Sequence, residues 1–289
     1  LVIFSGVFTG LAPGIHINLV GAILVSLSVS LFISLNPVYL VVIITAMAIT
    51  HSFVDFIPSI FLGAPDEGTE LSVLPGHELL KEGRGYEAVM LTNYGSLVAI
   101  FILVVISLPL IILIPKIYDS ISTFIPFILI IVSLFMIFSE KEKLSSSLVF
   151  LVSGVLGLIV LNLGSLSQPL LPLLSGLFGA SSLIISIKTK TQIPKQIISK
   201  PKINFLKPLS GSFISSLICG FLPGLSSGQA AIIGNLISKT DKKGFLVLLG
   251  ATNTLVMGFS FIALYAIQKT RTGAAASIQE LTGQMPKEI

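Results

Sequence analysis

The stretch that decides the fold is "GFLPGLSSGQAAIIG", Gly220 to Gly234, an apolar run that stops for Pro223-Gly224 and then shows Ser226, Ser227 and Gln229. A proline removes a backbone donor and a glycine permits a sharp reversal, so the pair predicts a break in a helix. Near the start of the chain, "GLAPGIHINLVGAIL", Gly10 to Leu24, has the same shape. There Pro13-Gly14 is in register, and His16 and Asn18 stand where Ser226 and Gly228 fall.

The surroundings of both breaks are those of a membrane protein. Of 289 residues, 53% are hydrophobic and only 10% charged. A soluble domain carries about 25% charged residues. Residues 88–115, 120–139, 144–187, 208–238 and 244–268 contain no Asp, Glu, Lys or Arg. Runs of about 20 apolar residues are what a hydrocarbon core of about 30 Å demands of a helix. A β-barrel would show short alternating segments instead. The class is therefore an all-α polytopic membrane protein.

Net charge is +4, and much of the excess lies in one tract holding Lys188, Lys190, Lys195, Lys200, Lys202 and Lys207. The tract joins two apolar runs and has no interleaved aromatic platform, so it reads as a cytoplasmic loop rather than a nucleic-acid patch. The single Cys219 excludes a disulfide or thiolate metal site within one chain. The chain opens inside a hydrophobic element, which leaves its true start in question.

With the Lys188–Lys207 loop inside the cell, the neutral stretch 208–238 ends at a second basic cluster, Lys239, Lys242 and Lys243. Two clusters on one side require the stretch to enter the membrane and return. Each half of it is about 22 Å of helix, short of a crossing. It reads as a re-entrant hairpin with the Pro-Gly at its tip. Walking back, 170–187, 144–165, 120–139, 88–115 and 37–64 cross in turn, with "EKEK" (140–143) inside and "PKIYD" (115–119) outside. Five crossings separate the hairpins, so the first one, 1–35, enters from the opposite face. With 244–268 this makes about six further spans and two inverted-topology repeats, 1–143 and 144–289. The second repeat stops early, which predicts a missing C-terminal portion.

Each hairpin leads to a span with polar residues: His51, Ser52 and Asp55 in the first half, Asn253 and Thr254 in the second. Inverted repeats with interrupted helices point to a secondary transporter's site near the midplane. Helix N-termini after each Pro-Gly suit a carboxylate or phosphate, while unwound carbonyls and hydroxyls suit Na⁺. The expected solute-binding residues are Pro13, Gly14, His16, Asn18, Pro65, Gly68, Thr69, Pro223, Gly224, Ser226, Ser227 and Gln229. The expected cation-coupling residues are His51, Asp55, Asn253 and Thr254. Asp55 is the one acid inside a span; it takes a proton or a cation, or merely pairs with His51 four residues back. His16 is either a structural donor or a solute contact. No cofactor is expected beyond Na⁺. Gly-x-Ser-x-Gly, His-Glu-x-x-His and P-loop patterns are absent, so the protein is not read as an enzyme, although Asp55 and His51 keep an intramembrane hydrolase open.

Three segments, "GLAPGIHINLVGAIL", "GFLPGLSSGQAAIIG" and "GAPDEGTELSVLPGHELLKEGRGYEAVML" (63–91), resemble the large membrane subunit of the tripartite tricarboxylate transporters. Gly76, Gly83 and Gly85 match that family's glycine run. The resemblance covers 1–90 well, 208–285 moderately and the middle by hydropathy only. It implies cation-coupled uptake of organic carboxylates, a small membrane subunit and an extracytoplasmic binding protein as partners, and residence in the cell membrane. The chain departs from the family at "PDEGTE" and at His16. Acids beside an anion site repel a tricarboxylate unless they hold the coupling cation, so a divergent branch acting without the two partners is a further expectation. A translocase for a lipid-linked phosphate is the alternative transport reading, and a membrane scaffold the non-transport one. A homo-oligomer is compatible with all of these.

Overall fold

The computed structural model describes residues 2–28, 35–66, 68–162, 193–199 and 205–283, together with positions 30, 184, 187, 188 and 201. Every regular element among them is a helix. In chain order these are α1 (Val2–Leu11), α2 (Ile17–Ser28), α3 (Pro37–Val54), α4 (Phe56–Leu62), α5 (Val73–Lys81), α6 (Gly85–Ile121), α7 (Ile125–Ser139) and α8 (Lys143–Leu161). Then follow α9 (Leu206–Phe221), α10 (Ser227–Ser238), α11 (Lys242–Ile267) and α12 (Gly273–Gly283). Short 3₁₀ turns occupy Glu70–Ser72 and Ser122–Phe124.

Four helical runs are long and apolar enough to cross a membrane: Pro37–Leu62, Gly85–Ser139, Lys143–Leu161 and Lys242–Ile267. They cover five of the expected crossings, because Gly85–Ser139 contains two. At 55 residues that run is about 80 Å long against a core of about 30 Å, too long for a single crossing. The expected break at "PKIYD" is corrected. Those residues are the last turns of α6, and the interruption falls at Ser122–Phe124. Pro109 and Pro115 each remove only one backbone donor. Ser120 and Ser122 donate to the carbonyls of Lys116 and Asp119, which keeps the polar turns wound. The expected crossing at 170–187 lies outside the described residues, apart from positions 184 and 187.

α11 is the centre of the fold: 83% of its apolar window is buried, against 0% for α8. Small residues let its backbone touch a neighbour. A Cβ on Gly250 would overlap the Thr92 carbonyl oxygen of α6, and one on Gly95 would overlap the Val247 carbonyl oxygen of α11. Ser96 Oγ donates to the Gly250 carbonyl at 3.0 Å across this seam. Such close, small-residue packing is the membrane substitute for a hydrophobic drive between helices. The contacts advance together along both chains, Thr92 with Gly250 and Leu103 with Gly258, so α6 and α11 are parallel. α3 crosses α11 in the opposite sense: Ser52 meets Thr254 while Asp55 meets Asn253.

The two Pro-Gly breaks differ in closure. α9 and α10 fold back on each other, with Gly211 against the Gly234 carbonyl and Ser238. α1 instead lies on α3, Gly6 against Thr50 and Gly10 against Val54, and α2 lies on α12, Gly21 against Ser277. Gly14 and Gly224 both take positive φ, +89° and +75°, with open space where a Cβ would sit. That backbone region is the one glycine adopts without penalty.

One end of the molecule gathers the charges. Lys243 Nζ lies 2.8 Å from Glu87 Oε1, Arg84 holds both Glu82 and Glu87, and Lys242 pairs with Glu78. The basic groups around Arg84 and around Lys242 therefore share one face, as two loops on one side of a membrane do. A strap from 193–199 docks there. Ile197 donates to the Gly83 carbonyl at 2.7 Å, and Gly85 N–H donates to Gln196 Oε1 at 2.7 Å.

Candidate functional site

α3 stops at Asp55 because Pro58 cannot donate to the Val54 carbonyl, and the chain restarts as α4. The break leaves Asp55 turned into the protein beside α11. α4 ends in turn at Gly63 (φ +64°), which sends residues 64–69 back toward the same place. These two local events build the site.

Asp55 Oδ2 accepts a hydrogen bond from Asn253 Nδ2 at 2.9 Å, and Ser227 Oγ, in the first turn of α10, donates to Asn253 Oδ1 at 3.3 Å. Ser52 Oγ lies 3.1 Å from Thr254 Oγ1. His51 Nε2 stands 3.3 Å from Asp66 Oδ2 and 4.0 Å from Asp55 Oδ2, without an aligned hydrogen bond to either carboxylate. Its Nδ1 lies 3.0 Å from Thr9 Oγ1 of α1. His16 Nε2 lies 3.6 Å from Asp66 Oδ1, and the two imidazoles meet edge-on at 5.5 Å. Below Asp55, Ser59 Oγ donates to the Asp55 carbonyl and touches Thr69 Oγ1, which ties residues 66–69 to α4. His51, Ser52, Asp55, Asn253 and Thr254 are all buried, at most 7% exposed. His16 and Asp66, at the edge of the cluster, are partly exposed.

The sequence expectations divide cleanly here. His16, His51, Asp55, Gly68, Thr69, Ser227, Asn253 and Thr254 come together. A Cβ on Gly68 (φ +90°) would overlap Ser227 Oγ and lie 3.0 Å from Asn253 Oδ1, so the 66–69 turn sits directly against α10 and α11. Ser226 and Gln229 are occupied with each other in a capping box at the start of α10: Ser226 N donates to Gln229 Oε1, and Gly228 N to Ser226 Oγ. Asn18 faces away, against Gly273 of α12, with its Oδ1 buried and without a hydrogen bond. His16 caps α2 by accepting from Asn18 N–H at 3.1 Å. Pro13-Gly14 and Pro223-Gly224 shape the two breaks, and Pro65 leads into the 66–69 turn.

Thr9, Ser59 and Asp66 were not among the expected site residues. Gly6, Thr9 and Gly10 form the buried face of α1, and that small-polar spacing was the signal for Thr9. Asp66 carried no signal that set it apart from its five acidic neighbours.

His16, His51 and Asp66 offer ligand atoms within 4.8 Å of one another. Nδ1 of His16 accepts from a backbone N–H, however, so in the neutral ring Nε2 carries the proton and has no lone pair for a metal. Glu70 lies outside the spans near the first turn of α10, and burial pushes its carboxyl up from the usual range. Two cavities lie apart from the cluster. One of about 640 Å³ is bounded by α3, α11 and α12, and one of about 340 Å³ separates α2 from α12 beside Asn18 and Glu280.

Comparison with known proteins gives the same direction as the geometry. The description "Tripartite tricarboxylate transporter TctA family" matches residues 1–286. The uncharacterized protein MJ1079 of Methanocaldococcus jannaschii is 36% identical over 293 residues, a match covering 98% of this chain and 72% of that protein. No solved structure matches the chain. A buried polar site at interrupted helices, in a chain matched almost end to end, has one reading: the protein belongs to the tripartite tricarboxylate transporter TctA family, a family of membrane transport components and not of enzymes.

Proposed function

We propose that the chain is the permease of a secondary active transporter that moves an organic carboxylate anion, coupled to Na⁺ or H⁺, across the cell membrane. Residues 1–143 and 144–289 act as two inverted repeats, each with a Pro-Gly re-entrant hairpin. The Lys188–Lys207 loop and the Arg84–Lys243 end face the cytoplasm. A small membrane subunit and an extracytoplasmic binding protein complete the system, as family membership implies.

One observation carries this reading: the halves clasp each other crosswise. Gly68, after the first polar span, packs on Ser227 of the second hairpin, and Gly273, after the second polar span, packs on Asn18 of the first. Reciprocal contacts of this kind are what two inverted repeats sharing one midplane site produce. The helices that start at Ile17 and Ser227 bring their positive ends near Asp66 and Gly68 of the 66–69 turn, a fitting place for a carboxylate.

The test is uptake of labelled citrate and of smaller di- and monocarboxylates by proteoliposomes, with and without Na⁺ and pH gradients. Saturable, gradient-driven accumulation is expected, raised by the cognate binding protein. Passive leak alone, across the whole carboxylate panel and with partners present, overturns the proposal.

A further inference from the structure

We propose that His51 Nε2 is a proton-binding site, and that the ion coupled to transport is therefore H⁺. The use of the proton in coupling rests on the transport reading above; the site itself does not.

Thr9 Oγ1 lies 3.1 Å from the Gly6 carbonyl, to which only the hydroxyl can donate, and 3.0 Å from His51 Nδ1. A hydroxyl has one proton. Both Thr9 contacts are made only when Thr9 donates to Gly6 and His51 Nδ1–H donates to Thr9. In a neutral His51 the other ring nitrogen, Nε2, is then a bare lone pair. That lone pair faces Asp66 Oδ2 at 3.3 Å and Asp55 Oδ2 at 4.0 Å, in a pocket where His51 and Asp55 are 3% and 2% exposed. A bare ring nitrogen and two carboxylate oxygens thus face one another, and Nε2 and Asp55 Oδ1 have no hydrogen-bond partner. One added proton resolves the conflict. On Nε2 it makes an imidazolium that donates toward the carboxylates and offsets their charge.

The remaining neighbours favour a proton over Na⁺. Asn253 turns its Nδ2, not its carbonyl oxygen, toward Asp55, and uses Oδ1 to accept from Ser227. The hydroxyls of Ser52 and Ser59 donate to backbone carbonyls of their own helices. Beside the carboxylate oxygens Na⁺ would meet a ring nitrogen and an amide N–H rather than further oxygens. The titratable groups facing His51 are Asp55 on its own run, Asp66 on the 66–69 turn and His16 at the tip between α1 and α2. α1 offers Thr9, and α11 offers Asn253 and Thr254, none of which titrates.

The same arrangement explains why acids border an anion site. With His51 and His16 neutral and both aspartates ionised, the cluster is negative and repels a carboxylate. Loading a proton removes one negative charge beside the anion site. Solute and proton then favour each other's binding by the same factor, which is the thermodynamic content of symport.

The chain has three histidines, His16, His51 and His77, so ¹⁵N-histidine NMR of the reconstituted protein resolves the question, with His51→Gln assigning the signal by its loss. The expected result is that the His51 ring passes from one to two protons between about pH 9 and pH 5, that replacing K⁺ by Na⁺ at fixed pH leaves it unchanged, and that Asp66→Asn shifts the transition. A His51 ring that keeps one proton throughout overturns the proposal. So does one that responds to Na⁺ or to Zn²⁺ at fixed pH and not to protons. A second arm measures labelled citrate uptake under an inward pH gradient without Na⁺. Uptake accelerated several-fold supports H⁺ coupling, and uptake driven by Na⁺ alone refutes it. If the ring titrates as expected while no carboxylate moves under either gradient, the proton site stands and the transport reading is the part that fails.

Discussion

Asp55 and Asn253 are separated by 198 positions in the chain and joined by one hydrogen bond of 2.9 Å in the interior. Asp55 ends α3, which crosses α11, and Asn253 on α11 is met by Ser227 of its own half and by the Gly68 turn of the other. The carboxylate is held by an amide, not by a cation, so its charge is only partly compensated. Burying a charge on those terms costs several kcal/mol, which evolution tolerates mainly at functional positions.

Removing the amide leaves Asp55 without any side-chain hydrogen-bond donor to its carboxylate. Asn253→Ala is expected to destabilise the protein by about 2–4 kcal/mol, and Asp55→Asn in the same background to recover most of that loss. Cys219 is the single cysteine and is buried, so a thiol-reactive dye reports its exposure during thermal unfolding. An Asn253→Ala melt equal to the wild type would show that the amide does not hold Asp55.

Gly68 is constrained twice, by a φ of +90° and by the Ser227 hydroxyl in the space a Cβ would need. Gly68→Ala should lower the melting point and abolish carboxylate uptake. Adding Ser227→Ala removes the overlap but leaves the backbone strain of about 1–2 kcal/mol. The double variant should therefore recover part of the stability and not all of it. Full recovery would assign the whole effect to sterics.

Much of this site is legible in the chain, for physical reasons that can be named. Pro-Gly inside an apolar run has few uses other than a break, and helices do stop at Pro13-Gly14 and Pro223-Gly224. Intramembrane His51, Asp55, Asn253 and Thr254 stand out because polar groups in lipid need partners, and here they find one another. Asp66 does not stand out, because its direction is set by Gly63 and Gly68, whose positive φ values only the folded chain displays. Ser226 and Gln229 carry the Ser-x-x-Gln spacing of a capping box, a bland use that competes with ligand binding for the same atoms. "PKIYD" misled because one charge of each sign and a proline suggest a loop, whereas Ser120 and Ser122 keep those turns helical.

The α6–α11 seam depends on glycine, while α8 does not. Gly95→Ala and Gly250→Ala each place a methyl group on a neighbouring backbone carbonyl. Each should destabilise by about 1–3 kcal/mol or more. Gly154 and Gly157 in α8 have nothing within 4 Å of an added Cβ. Gly154→Ala and Gly157→Ala should be neutral or stabilising by up to about 1 kcal/mol. Equal effects in the two helices would contradict the seam.

Sidedness follows from the charged end. Glu82 and Lys239 are exposed near the salt bridges of Arg84 and Lys243, and Gln268 is exposed beyond the far end of α11. In a Cys219→Ser background, Glu82→Cys and Lys239→Cys should react with a membrane-impermeant maleimide from one side and Gln268→Cys from the other. The positive-inside rule makes the first side cytoplasmic. Labelling of Glu82→Cys and Lys239→Cys from opposite faces would break the topology.

Glu70 gives a pH signature distinct from the His51 site. Burial beside the first turn of α10 raises its carboxyl above the unfolded value of 4.5. Between the unfolded and folded values the native state binds more protons, so Glu70's contribution is fully present below the unfolded value and fades as pH rises through the folded one. Above the folded value the ionised, partly desolvated carboxylate works against folding. Glu70→Gln should therefore raise the melting point at pH 7 relative to the wild type and leave it unchanged well below pH 4.5, where both side chains are neutral. Melts of the two proteins across that range decide it; a Glu70→Gln protein that is less stable at pH 7 would mean that the carboxylate makes a favourable contact outweighing its burial.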